Sequence, residues 1–194
     1  MTVHFEDGLS ASGTQLVGCD GTRSRVRKAL CALRGSLSVN HALPVRFLGA
    51  SVVYPASVGR TMQECDPFFF QGCDPATDSF MFFSFQDTPV SNERHDPETY
   101  ECQIIISWPY RAGFLGRSEP TELPATSDER LRLMKEITTN WASPFRDVVQ
   151  DMPSTTTVQA IRLEDWPPKE GSWENFDGRA TLVGDAAHAM TMCR

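Results

Sequence analysis

Hydrophobic positions alternate most clearly at 100–108, where Tyr100, Cys102, Ile104, Ile106 and Trp108 share one face and Glu101, Gln103 and Ser107 the other. A period of two predicts a strand with one apolar face. The β-branched and aromatic run 45–54, the aromatic runs 67–70 and 79–85, and the segments 155–163 and 181–183 read as further strands. A strand at 3–5 enters an Asp7-Gly8 turn and returns as 14–19. Helical spacing appears elsewhere. Val26 and Leu30 lie four apart in 24–30, and 55–65 reads as a short helix. Thr126-Ser-Asp-Glu129 is a capping box, with Leu131, Met134, Ile137 and Trp141 on one side of the helix it starts. Ser143-Pro144 begins another helix, with Pro at its first position and Phe145, Val148, Val149 and Met152 following at helical intervals. A strand and a helix at the start thus lead into a long sheet-plus-helix insertion and a return to the first unit at 181–183, an α/β or α+β pattern.

Composition narrows the classes. A chain of 194 residues with 40% hydrophobic and 22% charged residues has enough material for a core and suits one or two domains. A net charge of −7 argues against a nucleic-acid partner. Arg23, Arg25, Arg27 and Lys28 form a local basic cluster that either faces phosphates or is a solvated helix face. The cysteines Cys19, Cys31, Cys65, Cys73, Cys102 and Cys193 form no C-x-x-C pair and no metal-type spacing with His4, His41, His95 or His188, so no metal site is expected. Cys19 and Cys102 fall in apolar strand patterns and read as small core residues. A cytoplasmic, reducing compartment is the expectation, with no signal peptide and no transmembrane segment, the longest aliphatic run being 104–106.

Two strand–turn–helix segments carry candidate chemistry. One is Leu16-Val-Gly-Cys-Asp20-Gly21-Thr-Arg-Ser24-Arg-Val26-Arg27; the other is Thr181-Leu-Val-Gly184-Asp185-Ala186-Ala187-His188. A helix starting directly after a strand offers free N–H groups and a positive dipole end to a phosphate. Small residues there let a ligand approach the backbone. Asp185 can accept hydrogen bonds from sugar hydroxyls. Each segment alone is more often a plain turn.

Taken together and in this order, Asp20-Gly21-x-x-Ser24-x-Val26-Arg27 and the distant Gly184-Asp185-Ala186-Ala187-His188 resemble the two later motifs of the class A flavoprotein monooxygenases. These are the aromatic-ring hydroxylases of p-hydroxybenzoate hydroxylase type, including salicylate-hydroxylase-like fungal enzymes. The resemblance implies a truncated form of their fold, with a substrate domain (35–168) inserted between two segments of a Rossmann-like FAD domain (1–34 and 169–194). It implies FAD and NAD(P)H as cofactors, O2 as co-substrate and a small hydrophobic or aromatic substrate. Asp20, Gly21, Ser24 and Arg27 would serve the pyrophosphate and the pyridine nucleotide. Asp185 would bind the ribityl chain, and Gly184, Ala186 and Ala187 would face the pyrophosphate. Arg27 is otherwise a surface arginine, and His188 is either functional or a helix-surface residue. The flavin carries the chemistry in this family, so no catalytic side chain is expected. The aromatic strands are either ordinary core or the wall of a substrate pocket.

The chain departs from the family pattern in three ways. It contains no G-x-G-x-x-G, it has Met192 where many members have proline, and it stops at Arg194 before a Gly-rich helix start. It therefore reads as the middle of such an enzyme, expected to bind flavin poorly by itself and to be inactive alone. The alternative is a non-catalytic fragment with no flavin bound.

Overall fold

The computed structural model describes residues 1–90 and 98–190; His95, Met192, Cys193 and Arg194 lie outside the described residues. The chain divides into two units, residues 1–43 with 163–194, and residues 44–162.

The first unit opens with a hairpin of β1 (Thr2–His4) and β2 (Ser10–Ser12), paired antiparallel around the predicted Asp7-Gly8 turn. The returning strand is thus shorter and earlier than 14–19. The apolar segment forms a separate strand, β3 (Leu16–Gly18), followed by α1 (Arg25–Leu33) and the short β4 (His41–Ala42). Gly13 lies between the two strands and accepts the Met1 ammonium on its carbonyl, tying off the hairpin before β3 starts.

The second unit contains β5 (Val45–Pro55), α2 (Ala56–Cys65), β6 (Phe69–Asp74), β7 (Ser79–Asp87), β8 (Thr99–Pro109), α3 (Ser127–Thr138), α4 (Phe145–Gln150) and β9 (Gln159–Ile161). Its antiparallel sheet has the order β6-β7-β8-β5-β9. Leu48, Val52, Met81, Phe83, Cys102, Ile104, Ile106 and Trp108 are buried with Met62, Leu131, Met134, Ile137, Val148 and Val149 of the helices, so one sheet face is the core. The capping box forms: Thr126 Oγ1 accepts from the Glu129 amide, and the Glu129 carboxylate accepts from the Thr126 amide. That box starts α3 where the sequence places it, but α3 ends at Thr138, leaving Trp141 in the link to α4 rather than on the helix face. Pro144 is the N-cap of α4, one position earlier than expected. The 155–163 strand shrinks to β9.

The other sheet face carries Phe47, Phe80, Phe82, Ile105 and Ile161, the alternate positions of the same strands. Ile105 and Ile161 flank Gly49 there, whose ideal Cβ would lie 3.0 Å from Ile161 Cδ1 and 3.7 Å from Ile105 Cγ1. At its β6 end lies a groove of about 730 Å3 lined by Phe68, Phe69 and Phe82.

The chain then returns to the first unit as β10 (Glu164–Asp165), paired with β4, β11 (Ala180–Leu182), and α5 (Asp185–His188). β11 pairs parallel with β3, matching Ala180 to Leu16 and Leu182 to Gly18. Gly18 is needed for that fit, since a Cβ there would stand 2.7 Å from Leu182 and 2.8 Å from Val26. Among the described residues no helix is long and apolar enough to cross a membrane.

Candidate functional site

The parallel pairing of β3 and β11 brings the two acidic turns to one place. Both strands run the same way and both turns follow their carboxyl ends, where open α/β sheets place their ligands. The pairing continues one residue beyond β11, the Val183 amide donating to the Gly18 carbonyl. Across the gap, Thr22 Oγ1 donates to Asp185 Oδ2 at 3.0 Å.

Asp20 faces its own helix. Its Oδ1 accepts from Ser24 Oγ at 2.5 Å, and its Oδ2 accepts from the Arg25 amide at 2.7 Å and the Val26 amide at 3.2 Å. Ser24, the N-cap, accepts from the Arg27 amide at 2.8 Å. Together they satisfy the first-turn donors that a helix leaves unpaired. Burial pushes the Asp20 carboxyl up, but hydrogen bonds from Ser24, Val26 and Arg25 outweigh it and hold the group below its ordinary value of 3.8. A depressed folded-state pKa stabilises the fold above the ordinary value and is lost as pH falls through the lower one. In an acid titration the Arg25 and Val26 amide proton shifts should therefore move together with a midpoint below 3.8. A midpoint above that value would contradict the arrangement.

Arg27 turns inward and is 2% exposed. One guanidinium nitrogen donates to the Asp185 and Ala186 carbonyls, both at 3.1 Å. The other donates to the Thr22 carbonyl at 2.6 Å and to Asn40 Oδ1 at 2.7 Å. Its carbon lies 4.7 Å from the centre of the Trp166 ring. Among the described residues no carboxylate pairs with it directly. Burial lowers its pKa, and the Asp20 charge works in the opposite direction. Arg27 is thus a bolt between the turns, its planar fork matched to carbonyls on both.

Asn40, Thr22 and Trp166 complete this network and were not singled out in the sequence. Asn40 Nδ2 donates to the Thr22 carbonyl and to Glu164 Oε2, both at 3.0 Å. No local pattern marks Asn40, which lies in an irregular segment; Thr22 stands at an unspecified position inside the first motif.

The ligand-accessible part of the site is the pair of turns. Gly21 (φ 77°) and Gly184 (φ 58°, ψ −144°) have backbones suited to glycine, and an ideal Cβ on either would meet nothing within 4 Å. Open space therefore lies over both turns. Asp185 is exposed, Ala186 is buried and Ala187 half-buried, so small side chains leave the first turn of α5 bare on one side. His188 is exposed, and its amide donates to the Gly184 carbonyl. Cys19 is exposed rather than in the core, because it follows β3 instead of lying in it; Cys102 is buried as expected. Among the described residues no cluster of His, Cys, Asp or Glu could hold a metal ion.

No family model matches the chain. It is 50% identical over 195 residues to a probable FAD-dependent monooxygenase of Arthroderma benhamiae, covering 98% of this chain and 45% of that protein. It is 36% identical over 191 residues to the FAD-dependent monooxygenase tazP of Aspergillus terreus, covering 98% of this chain and 46% of that one. The chain therefore spans about half the length of the curated relatives it matches. Among solved structures it resembles Klebsiella pneumoniae HpxO complexed with FAD and uric acid, with a TM-score of 0.67 at 19% identity over 98% of this chain and 40% of that one. It also resembles a salicylate hydroxylase substrate complex, with a TM-score of 0.59 at 18% identity over 97% of this chain and 43% of that one.

Proposed function

We propose that this chain, a homologue of the fungal FAD-dependent monooxygenases along its whole length, contributes the ribityl–pyrophosphate side of an FAD site and the substrate sheet of an NAD(P)H-dependent hydroxylase. The observation that carries this reading is the parallel β3–β11 pair, which sets Asp20-Gly21 and Gly184-Asp185 at the ends of neighbouring strands. The residues present fit the cofactor. Two glycine turns have open space above them, and the exposed Asp185 carboxylate stands beside a helix start bare of large side chains. Asp185 would accept hydrogen bonds from the ribityl hydroxyls, and the backbone of Gly21, Gly184, Ala186 and Ala187 would face the pyrophosphate. Asp20, Ser24 and Arg27 position these turns. When bound and reduced by NAD(P)H, the flavin supplies the activation of O2 for hydroxylation.

The second unit supplies the substrate surface in this reading. Phe47, Phe80, Phe82 and Ile105 make an apolar, aromatic floor on the sheet face turned away from the helices, suited to a small hydrophobic or aromatic molecule. No side-chain nucleophile is required, so the chain's part is to bind, orient and exclude water. In this division of labour residues 1–43 and 163–194 serve the cofactor, and residues 44–162 the substrate.

The test is an FAD titration of the purified chain, followed by flavin absorbance. Because the chain lacks a G-x-G-x-x-G turn for the adenosine half, weak binding is expected, and Asp185→Ala should weaken it further by about tenfold, or ~1.4 kcal/mol. Equal affinity of the variant and the parent chain would remove Asp185 from the site.

A further inference from the structure

The second unit's sheet ends on one side in β9, three residues long, and on the other in β6, six residues long. Short edge strands, lysines, prolines and bulges are the usual means of keeping a sheet edge from pairing with another chain. β6 uses none of them. Its register with β7 is unbroken, and residues 68–73 include no proline and no charged side chain.

The free backbone groups of this edge follow from the register. The Phe85 amide donates to the Phe68 carbonyl at 3.1 Å, and Phe69 stands opposite Ser84, so residues 68, 70, 72 and 74 bond toward β7. Phe69, Gln71 and Cys73 therefore turn their N–H and C=O groups out of the sheet. The Phe69 amide agrees with this, since it donates to Asp66 Oδ1 at 3.0 Å and not to β7. Among the described residues nothing takes up the Gln71 and Cys73 amides or the three outward carbonyls. Phe69, Gln71, Gly72 and Cys73 are all exposed.

The edge is complementary to itself. An antiparallel copy related by a two-fold axis at Gln71 sets Gln71 against Gln71 and Phe69 against Cys73. The Gln71 and Cys73 amides of each copy then reach the Gln71 and Phe69 carbonyls of the other, and the Asp66 cap stays in place. Between these pairs, Phe70 of one copy faces Gly72 of the other. An ideal Cβ on Gly72 would meet nothing within 4 Å, and its φ does not lie in the left-handed region, so the backbone does not call for glycine there. An aromatic residue across from an edge glycine covers that bare backbone. Phe70 is already fixed for this role, stacked on Phe83 with ring centres 4.9 Å apart and meeting Phe145 at 5.2 Å. The net charge of −7 opposes self-association, but in this register no two carboxylates face each other: Asp74 stands opposite Phe68, and Asp66 opposite Ala76.

We propose that β6 is the contact strand of a homodimer, pairing antiparallel with β6 of a second copy so that the two five-stranded sheets become one. This does not depend on the flavin reading. A single strand pair with two aromatic contacts belongs with small, transient interfaces, for which a dissociation constant of about 10–100 μM is expected.

Sedimentation equilibrium of the full chain tests it. The parent should show a monomer–dimer equilibrium, and a chain still monomeric at about 500 μM overturns the assignment. Gln71→Pro removes an amide that makes no bond to β7, so it should leave the sheet intact and raise the dissociation constant tenfold or more. Gln71→Lys places two ammonium groups across the two-fold axis and should act in the same direction; it keeps every backbone donor, so it decides the matter if Gln71→Pro melts early. Dimerisation of Gln71→Lys as tight as that of the parent overturns the proposal. The register has its own readout. Residues opposite each other in a hydrogen-bonded pair lie about 5.5 Å apart at Cα, within disulfide range. Mild oxidation of Phe69→Cys should therefore give a covalent dimer whose peptide map joins position 69 of one copy to Cys73 of the other. A map joining position 69 to itself would mean parallel pairing and would sink the antiparallel register.

Discussion

Arg27→Met is expected to lower the stability of the first unit by about 2–4 kcal/mol, because it strips the donors from the part-buried Asp185 and buried Ala186 carbonyls. The Thr22 carbonyl keeps its bond from Asn40, so that loss is partial there. Among the described side-chain hydrogen bonds, no other donor reaches the Asp185 and Ala186 carbonyls. Removing a buried charge returns part of the desolvation penalty, which is why the expected loss is smaller than four bonds would suggest. The cation–π contact with Trp166 disappears as well. Arg27→Lys should be intermediate, since a point charge cannot fork to both turns. Hydrogen exchange read by segment is the measurement: residues 1–43 and 163–190 should lose protection while the β5–β8 ladder keeps it. Equal protection in parent and variant would mean that the two turns hold together without the bolt.

A second large effect is expected at Gly59. In an exposed helix, Gly→Ala gains about 1 kcal/mol of helix propensity. Here the sign reverses. A Cβ on Gly59 would stand 2.3 Å from Cγ and Cδ2 of Tyr100 and 2.9 Å from its Cβ. These are the base of the ring rather than its tip, and Tyr100 is 6% exposed with its hydroxyl donating to Gln63 Oε1 at 3.0 Å. The ring cannot swing away, so α2 must lift from β8. Overpacking of this kind costs about 1–3 kcal/mol, and Gly59→Val should exceed Gly59→Ala. Chemical denaturation of both variants measures it. A double variant with Tyr100→Leu should recover part of the loss, because contacting sites do not add. A Gly59→Ala chain more stable than its parent would show that the helix moves freely.

The alternating residues of 100–108 identify β8 and its buried face without reference to any partner, because a strand's period of two is local. The Thr126–Glu129 box likewise fixes the start of α3 from bonds made within four residues. The two acidic turns are readable for the same reason, as each is a short run from strand end to helix start. The order of the two motifs along the chain carries the resemblance to the class A flavoprotein monooxygenases, and the chain is 50% and 36% identical to two fungal FAD-dependent monooxygenases.

Pairing is a different matter. The sequence joins 14–19 to the first strand as a hairpin, yet Leu16–Gly18 leaves that hairpin and pairs in parallel with residues more than 160 positions away. Hydrophobic alternation reports which face of a strand is apolar and contains nothing about which strand lies beside it. The same limit explains Arg27. Its spacing places it on α1, but its burial depends on carbonyls from Asp185 and Ala186 that only the folded chain brings within reach. Trp141 keeps the helical interval and still falls outside α3, since the helix ends where its backbone partners end. Local periodicity thus determined the elements and the two turns, while long-range packing decided their partners and buried Arg27 among the carbonyls of both turns.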